Sequence, residues 1–503
     1  MKSIESTSII DYFKRFFKHT MIYGIGNIIN RLGAFLLLPL YTRYLTPAEY
    51  GTLEIFYVTS SILQTFLGMM IAHAALRFYF EYDKEEDRKE VISTALIASF
   101  IFTLPIVLLL SMYSGLYSAI LFKSAEYKIL FRLVFIIILL ELSKEITLAF
   151  LRAKERSFIF ISVSTFQLLI QVGLNIYLVA YLKKGVYGIL FGNLISISIA
   201  WLILSSITLK YCGINFHLSK LKVMLKYSYP FMLATVGAMI INSSDRFFLK
   251  AYSTLEVIGL YALGFRFGMV INTLLIGPFN TSFGPFRFSI MKNNDAKEIY
   301  SRTLTYFLLI VMFLSLIISI FSRDILVVMS PPSFWGAYKV VPITILSIIL
   351  GGTTYVFQTG IFLTKKTKYI FYVTTIAAIL ILILNWLLVP RFNMYGAAGA
   401  MFLCSLFMCL ATYYISQKLY PVKYEFNRIF KILWSGLSIY ICSLFIPRTD
   451  IIRTIFLKFI LIMSFPFILG LFKFYREGEI NKILIFKNFI GSKLELAFNY
   501  KRN

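Results

Sequence analysis

Long apolar stretches follow one another along almost the whole chain, and short polar segments separate them. About fourteen stretches of roughly 20 residues can be recognised, and an apolar stretch of 18 or more residues is long enough to cross a membrane as a helix. Helices are expected because lipid offers no partner to an unpaired backbone group. The pattern predicts an all-α polytopic membrane protein with spans near residues 21–41, 53–76, 91–112, 127–150, 157–181, 187–209, 227–249, 254–278, 301–321, 339–363, 369–389, 394–417, 430–447 and 453–473.

Composition agrees with this pattern. Hydrophobic residues make up 59% of the 503 residues and the mean hydropathy is +0.78, whereas a soluble globular chain is about 45–50% apolar. In a soluble protein the net charge of +26 would suggest a nucleic-acid partner. Here most of the excess lies in short loops and tails, so we expect it to face anionic membrane lipids and no nucleic acid.

Basic residues are distributed unevenly between alternate loops. One set of loops, counted with both termini, carries about 32 Lys and Arg residues, whereas the alternate set carries about 11. Because strongly basic loops stay in the cytoplasm, both termini are predicted to be cytoplasmic and the number of spans to be even. The first stretch is too long for the core of a signal peptide and carries Arg31 at its centre, so we expect it to be a span.

The two halves of the chain resemble each other at an offset of about 208 residues. Six spans separate matching positions, and an even number gives both halves the same orientation. The repeat therefore predicts two parallel six-helix bundles with a pseudo-twofold axis along the membrane normal. The matching pairs are Thr46–Gly51 with Thr254–Gly259, Phe150-Leu151 with Phe362-Leu363, Leu174-Asn175 with Leu384-Asn385, and Val186-Tyr187-Gly188 with Met394-Tyr395-Gly396.

This repeat divides the chain into consecutive parts. The bundles are expected at 21–210 and 227–418, with a cytoplasmic linker at 211–226 between them. Outside the repeat we expect a cytoplasmic interfacial segment at 1–20, two additional transmembrane helices at 430–474 and a basic cytoplasmic tail at 475–503.

Charged residues within the spans are the candidate functional residues, because a charge in the bilayer is costly and normally faces a cavity or a partner. The candidate cavity cations are Arg31, Arg77, Lys144, Arg246 and Arg266, and the candidate coupling or ion-pair acids are Glu54, Glu141 and Asp245. Arg31 and Arg266 lie nearest to the middle of their spans. For Arg31, Arg266 and Lys144, a structural ion pair is the alternative to a role in binding.

Local spacing distinguishes some of these residues. Glu141 and Lys144 are three residues apart, which favours an ion pair on one helix face. Asp245 and Arg246 are adjacent and do not share a helix face, so they are expected to have different partners. Arg77 lies near the end of a span, where it would either extend to the headgroups or belong to a substrate-access site.

Two segments resemble a known family. Tyr41–Gly51, which follows Asn30-Arg31 and Pro39, and Asn242–Phe248 are similar to bacterial polysaccharide-biosynthesis flippases of the Wzx type. That family belongs to the superfamily that also contains multidrug exporters and the lipid II flippase. The resemblance covers about residues 1–420 and implies two six-helix bundles around a central cavity. It also implies transport of an undecaprenyl-pyrophosphate-linked oligosaccharide across the bacterial inner membrane, for O-antigen or capsule synthesis.

Three function classes remain open from the sequence. A flippase is favoured, because a basic excess in the spans suits a pyrophosphate, which Arg can bind bidentately. A cation-coupled exporter of small amphipathic molecules is the first alternative, and a membrane polymerase or acyltransferase is the second. Since no nucleotide-binding loop and no metal-binding spacing is present, we expect no cofactor and no metal. The expected partners are the lipid-linked substrate, membrane lipids and downstream assembly proteins such as a polymerase.

Overall fold

The computed structural model describes residues 37–68, 71–447 and 451–476. Every regular element in these ranges is helical, which confirms the prediction of an all-α protein. The α-helices are α1 (Leu38–Tyr44), α2 (Pro47–Gly68), α3 (Ile71–Glu81), α4 (Glu85–Met112), α5 (Ser114–Phe122), α6 (Lys128–Ala153), α7 (Ser157–Asn175), α8 (Gly185–Cys212), α9 (Leu218–Tyr252), α10 (Leu255–Ile271), α11 (Gly277–Ser289), α12 (Ala296–Met329), α13 (Val341–Phe357), α14 (Thr359–Leu363), α15 (Lys368–Leu419), α16 (Phe426–Leu444) and α17 (Ile451–Leu471).

Several of these helices can cross a membrane. Within the described ranges, nine helices are long and apolar enough to do so, or ten if the two parts of α9, bent by 57°, form one span. α15 is 52 residues long, but Asn393 within it has φ 48° and ψ −126°, so two helical segments meet there. The chain is therefore a multi-pass membrane protein, and the number of fourteen spans stays a prediction. The expected first span lies largely outside the described residues.

The chain forms two compact units, and the division into two bundles on either side of 211–226 stays a prediction. Unit 1 holds the described residues up to Arg266, together with Asp324–Ser347 and Thr367–Ala411. At its centre α6 packs against α2, α3, α4 and α8. A helix that is surrounded by other helices is apolar on all sides, so each charged side chain of α6 that is buried needs a polar or charged partner.

Unit 2 holds Phe267–Arg323, Ile348–Lys366 and the described residues from Thr412 onward. In this unit α16 packs against α17, and α16 also lies close to α12. At Gly436 an added Cβ would be 2.7 Å from the sulfur of Met312, so only a glycine permits this approach without a shift of the side chain.

The start of α2 is fixed by a capping box. The Thr46 N–H donates to Glu49 Oε2 at 2.8 Å, and the Glu49 N–H donates to Thr46 Oγ1 at 3.2 Å. This reciprocal arrangement satisfies two N–H groups that a helix start leaves unpaired. Pro47 occupies the first helical position, where its missing N–H costs nothing. Three residues of the family-like segment thus determine where a helix begins.

The repeated segments Thr46–Gly51 and Thr254–Gly259 contact each other reciprocally. A Cβ on Gly51 would be 1.9 Å from the Leu255 carbonyl oxygen, and a Cβ on Gly259 would be 2.0 Å from the Pro47 carbonyl oxygen. Pro47 and Leu255 are themselves equivalent positions in the repeat. The starts of α2 and α10 therefore cross at a distance that only glycine allows at both positions.

The repeat is also visible in local backbone geometry. Glu155 and Lys365, 210 residues apart, both have left-handed φ values, of 54° and 58°. The next residue in each case donates its N–H back into the preceding helix, from Arg156 to the Leu151 carbonyl at 2.9 Å and from Lys366 to the Ile361 carbonyl at 3.1 Å. Both helix ends thus use the same capping motif.

Candidate functional site

A cavity of about 440 Å³ lies within unit 1. Helices α1, α2, α6, α7 and α10 each contribute side chains to its wall. Two of the predicted cavity cations, Lys144 and Arg266, line it together. Its remaining walls combine two tyrosines, polar neutral groups and apolar side chains: Leu37, Tyr41, Tyr57, Leu148, Phe160, Ser164, Gln167, Leu168 and Gln171. Within the described part of the chain, the wall contains two cations and no carboxylate.

Arg266 reaches the cavity from α10 and is supported by α2. Its Nη2 lies 3.4 Å from Glu54 Oε2, and its guanidinium carbon lies 5.5 Å and 5.9 Å from the ring centres of Tyr50 and Tyr57. These three residues of α2 are spaced by four and three positions, so they share one helix face. The aromatic rings hold the cation in a π contact and leave part of it open to the cavity.

Arg246 is the most buried of the candidate cations that the structure describes, and it forms an ion pair with Asp245. It is 3% exposed, and its Nη1 donates to both oxygens of Asp245, at 2.8 and 2.7 Å. The Tyr261 hydroxyl also donates to Asp245. The expectation of different partners for Asp245 and Arg246 was therefore wrong: the long Arg side chain bends back toward the carboxylate that precedes it, because burial leaves the two charges no solvent.

Glu54 connects the two arginines. Its Oε1 lies 3.5 Å from Arg246 Nε, while its Oε2 faces Arg266. Charge-assisted N–H···O bonds are typically about 2.7–2.9 Å long, so the pair between Arg246 and Asp245 is close, whereas the contacts of Glu54 with both arginines are long. We infer that Arg266 remains available to an anion in the cavity.

Lys144 occupies a similar position on the central helix α6. Its Nζ lies 3.3 Å from Glu141, as the spacing predicted, and 3.2 Å from Gln167 Oε1 on α7. The residue is 9% exposed and borders the cavity. Both contacts are long for an ammonium group, and therefore Lys144 can also turn toward a ligand anion.

A polar stripe on α7 forms another wall. Ser164, Gln167 and Gln171 follow one another at three- and four-residue spacing, which places them on one helix face, and all three line the cavity. Charge alone did not single out these residues. The signal that could have found them is the 3.6-residue period of neutral polar side chains along an otherwise apolar helix.

Comparison with known proteins adds to this geometry. The family model described as polysaccharide biosynthesis protein matches residues 16–291. The chain belongs to the polysaccharide biosynthesis protein family. A comparison with curated protein sequences gives no match.

Solved structures show which fold this family member has. The lipid II flippase MurJ in its inward closed conformation is similar over 89% of this chain and 98% of its own, with a TM-score of 0.72 and 15% identity. An outward-facing multidrug resistance MATE transporter of the MOP superfamily matches over 80% of this chain and 95% of its own, with a TM-score of 0.55 and 14% identity. A MOP superfamily transporter from Pyrococcus furiosus matches over 80% and 95%, with a TM-score of 0.56 and 13% identity. The fold is therefore that of the MOP superfamily flippases and transporters.

The other predicted cations of this family member lie elsewhere. Arg77 is outside the cavity wall: its side chain is about half exposed, 3.5 Å from Glu81, and its guanidinium carbon lies 4.3 Å from the Tyr227 ring centre. Arg31 lies outside the described residues, so its relation to the cavity stays a prediction.

A second cavity in unit 1, of about 290 Å³, is separate from the first in its lining. It is bordered by His73, Glu145 and hydroxyl side chains of α2 and α4. The charged residues of α6 thus border two different cavities: Lys144 lines the first and Glu145 lines the second.

Proposed function

We propose that this protein is a flippase that moves an undecaprenyl-pyrophosphate-linked oligosaccharide repeat unit across the bacterial inner membrane by alternating access. The observation that carries the proposal is the cavity in which Lys144 and Arg266 face the same space in a polysaccharide biosynthesis protein with the MOP fold. In this proposal the substrate leaves the protein chemically unchanged, so no catalytic group is required.

The two cavity cations would bind the pyrophosphate. Each has a carboxylate behind it, at 3.4 Å for Arg266 and 3.3 Å for Lys144, and neither contact has the length of a strong ion pair. A pyrophosphate that enters the cavity can therefore compete for both. Arg266 offers a planar fork for two phosphate oxygens, whereas Lys144 acts as a point charge.

The neutral side chains would bind the saccharide. Gln167 and Gln171 offer amide donors and acceptors, and Tyr57 offers a ring face next to Arg266. A volume of about 440 Å³ lies within the range of about 300–1,000 Å³ common for ligand pockets. It would accommodate the pyrophosphate with the adjoining sugars, while the polyprenyl chain stays in lipid.

The repeat and the loop charges complete the proposal. Two parallel six-helix bundles at 21–210 and 227–418 would rock about the binding site, and the two helices at 430–474 would lie outside this motion. The excess of basic residues in alternate loops supports cytoplasmic termini. A downstream polymerase would take over the translocated repeat unit.

Leaflet-specific labelling of the lipid-linked glycan tests this function. In a deletion strain we expect the complete repeat unit to accumulate on the cytoplasmic leaflet, because synthesis continues without translocation. The wild-type chain should restore surface polymer, whereas Arg266→Ala and Lys144→Ala should not, although both proteins insert. Arg266→Lys should restore it partly, since Lys lacks the bidentate fork.

A matched control separates binding from general loss of charge. Arg132 donates to Ser114 Oγ at 3.1 Å and does not line the cavity, so Arg132→Ala should keep most surface polymer. Lipid-linked repeat units on the outer leaflet at wild-type levels in the deletion strain would reject the flippase. Polymer that lacks acyl groups in the deletion strain would point to an acyltransferase, and increased drug sensitivity with normal polymer would point to an exporter.

A further inference from the structure

One buried arginine of unit 2 has no carboxylate beside it among the described residues. Arg287, in the last turn of α11, is 1% exposed, and its Nε and Nη1 have no hydrogen-bond acceptor there. An arginine cannot discharge itself by deprotonation, and a buried charge without a counter-charge is unfavourable. An anion bound beside Arg287 would therefore stabilise the folded protein.

Aromatic rings surround the guanidinium of Arg287. Its central carbon lies 4.6 Å from the ring centres of both Tyr355 and Phe362, and 5.1 Å from that of Phe283. The hydroxyl of Tyr300 donates to the Arg287 carbonyl at 2.6 Å, which fixes the backbone. Ring faces attract a cation, but they accept hydrogen bonds poorly, so the cage holds the charge while the Nε and Nη1 donors stay unused. A side-chain hydrogen bond with Tyr355 is the remaining polar contact of the guanidinium in the described part of the chain.

A comparison within unit 2 shows what is unusual here. Arg428 is also buried and also lies on an aromatic ring, 4.3 Å from the centre of Phe474. Its Nη1, however, is 3.1 Å from Glu425 Oε2. The aromatic stack at Arg428 thus comes with a carboxylate partner, whereas the same kind of stack at Arg287 comes with none in the described ranges.

The wall of the cage has one side that can open. Phe283 is 3% exposed and cannot move without disturbing the core, but Phe288 is 45% exposed and its ring centre lies 6.0 Å from the Arg287 guanidinium carbon. Phe286 and Met291 beside it are also exposed, by 40% and 46%. A turn of Phe288 would therefore expose Arg287 to an apolar surface that suits lipid rather than water.

We propose that Arg287 binds the phosphate of a lipid headgroup at the end of α11. The loop that follows, around Lys292, belongs to the basic set that is predicted to be cytoplasmic, where anionic headgroups are concentrated. The guanidinium supplies two unused N–H donors for phosphate oxygens, and the exposed aromatic side chains border the acyl chains. Either a glycerophospholipid or a polyprenyl pyrophosphate carries the required group.

Thermal unfolding of the purified full-length protein in detergent tests this proposal. Phosphatidylglycerol, undecaprenyl pyrophosphate, phosphatidylcholine and inorganic pyrophosphate are added separately. We expect the wild-type unfolding midpoint to rise with at least one of the first two, and the apparent affinity to fall at least tenfold in Arg287→Gln. Arg287→Lys should respond weakly, since it keeps the charge without the fork. Lys292→Gln, which removes an exposed charge nearby, should respond as the wild type does.

The outcomes distinguish the source of the phosphate. A response to phosphatidylglycerol identifies a membrane phospholipid, and a response to undecaprenyl pyrophosphate alone identifies a substrate-type lipid. Equal responses in the wild type and Arg287→Gln, or an equal shift with inorganic pyrophosphate, would overturn the lipid site. Glu477, Glu479 and Glu495 lie in the predicted basic tail. If a response to lipid arose only after these three residues were changed to Gln in the full-length chain, a carboxylate of the tail would be the partner of Arg287. That result would also overturn the lipid site.

Discussion

The reciprocal crossing of α2 and α10 makes the substitution Gly51→Ala a sensitive probe. The new Cβ would be 1.9 Å from the Leu255 carbonyl oxygen and 2.9 Å from its carbonyl carbon. Non-bonded carbon–oxygen contacts are about 3.3 Å or longer, so the two backbones must separate by roughly 1.4 Å. Both obstructing atoms belong to the backbone and cannot rotate away.

Two opposing contributions determine the size of the effect. Overpacking of a well-packed contact costs about 1–3 kcal/mol, and an obstruction by backbone places this site in the upper part of that range. Replacing glycine by alanine inside a helix stabilises by about 1 kcal/mol. We therefore expect Gly51→Ala to destabilise the protein by about 1–2 kcal/mol. Gly259→Ala should cost nearly the same, because its Cβ would be 2.0 Å from the Pro47 carbonyl oxygen.

Equilibrium unfolding of the purified variants in one detergent measures both effects. Gly351→Ala is the matched control, because a Cβ at Gly351 would have no atom within 4 Å. This control should gain about 1 kcal/mol from helix propensity, so its sign is opposite. If Gly51→Ala stabilised the protein as much as Gly351→Ala, the close crossing would be refuted. Unequal effects at Gly51 and Gly259 would refute its reciprocity.

Three further predictions concern the charges. Glu54→Gln should destabilise the protein by about 1.5–3 kcal/mol in equilibrium unfolding, because two arginines lose one carboxylate. The control Glu298→Gln, in an exposed ion pair, should cost under about 0.5 kcal/mol. Equal losses of stability in the two variants would contradict the role of Glu54. Burial acts to lower the pKa of Lys154, but hydrogen bonds to Glu85 and Tyr211 outweigh it and raise the pKa above 10.5. The charged form of Lys154 therefore stabilises the folded state at neutral pH, and this stabilisation is lost as pH rises above 10.5. Unfolding measured over a pH series should show the loss in the wild type and not in Lys154→Met. Reporter fusions near residues 215, 290 and 425 should be cytoplasmic and those near 185 and 330 external, and a reversed pattern at two of these sites would reject the topology.

Sequence reasoning reached the fold and only part of the site. Apolar stretches predict membrane helices because lipid requires them, and intramembrane charge identified Lys144 and Arg266, which line one cavity. The bridge through Glu54 could not be foreseen, since it depends on how α2, α9 and α10 pack together. Gln167 and Gln171 were missed because a neutral amide gives a weaker signal than a charge.

The Arg246 prediction was wrong for a different reason. Helix-face geometry describes where side chains leave the backbone, and it does not describe how far a long, flexible side chain can bend. In a buried position Arg246 pairs with its own neighbour, Asp245. Rules derived from exposed helices therefore underestimate contacts between adjacent charges where no water is present.

The segment that carries the family resemblance has a consequence for how relatives are compared. Thr46, Pro47 and Glu49 cap a helix, Gly51 permits a close crossing, and the Tyr41 hydroxyl accepts a hydrogen bond from Asn175 at 2.8 Å. A signature built from such residues records where the chain turns and how its helices meet. Two proteins can share it and still carry different cargo, so differences in substrate should be sought in the side chains of α7 that face the cavity, whose exchange would change recognition without disturbing the scaffold.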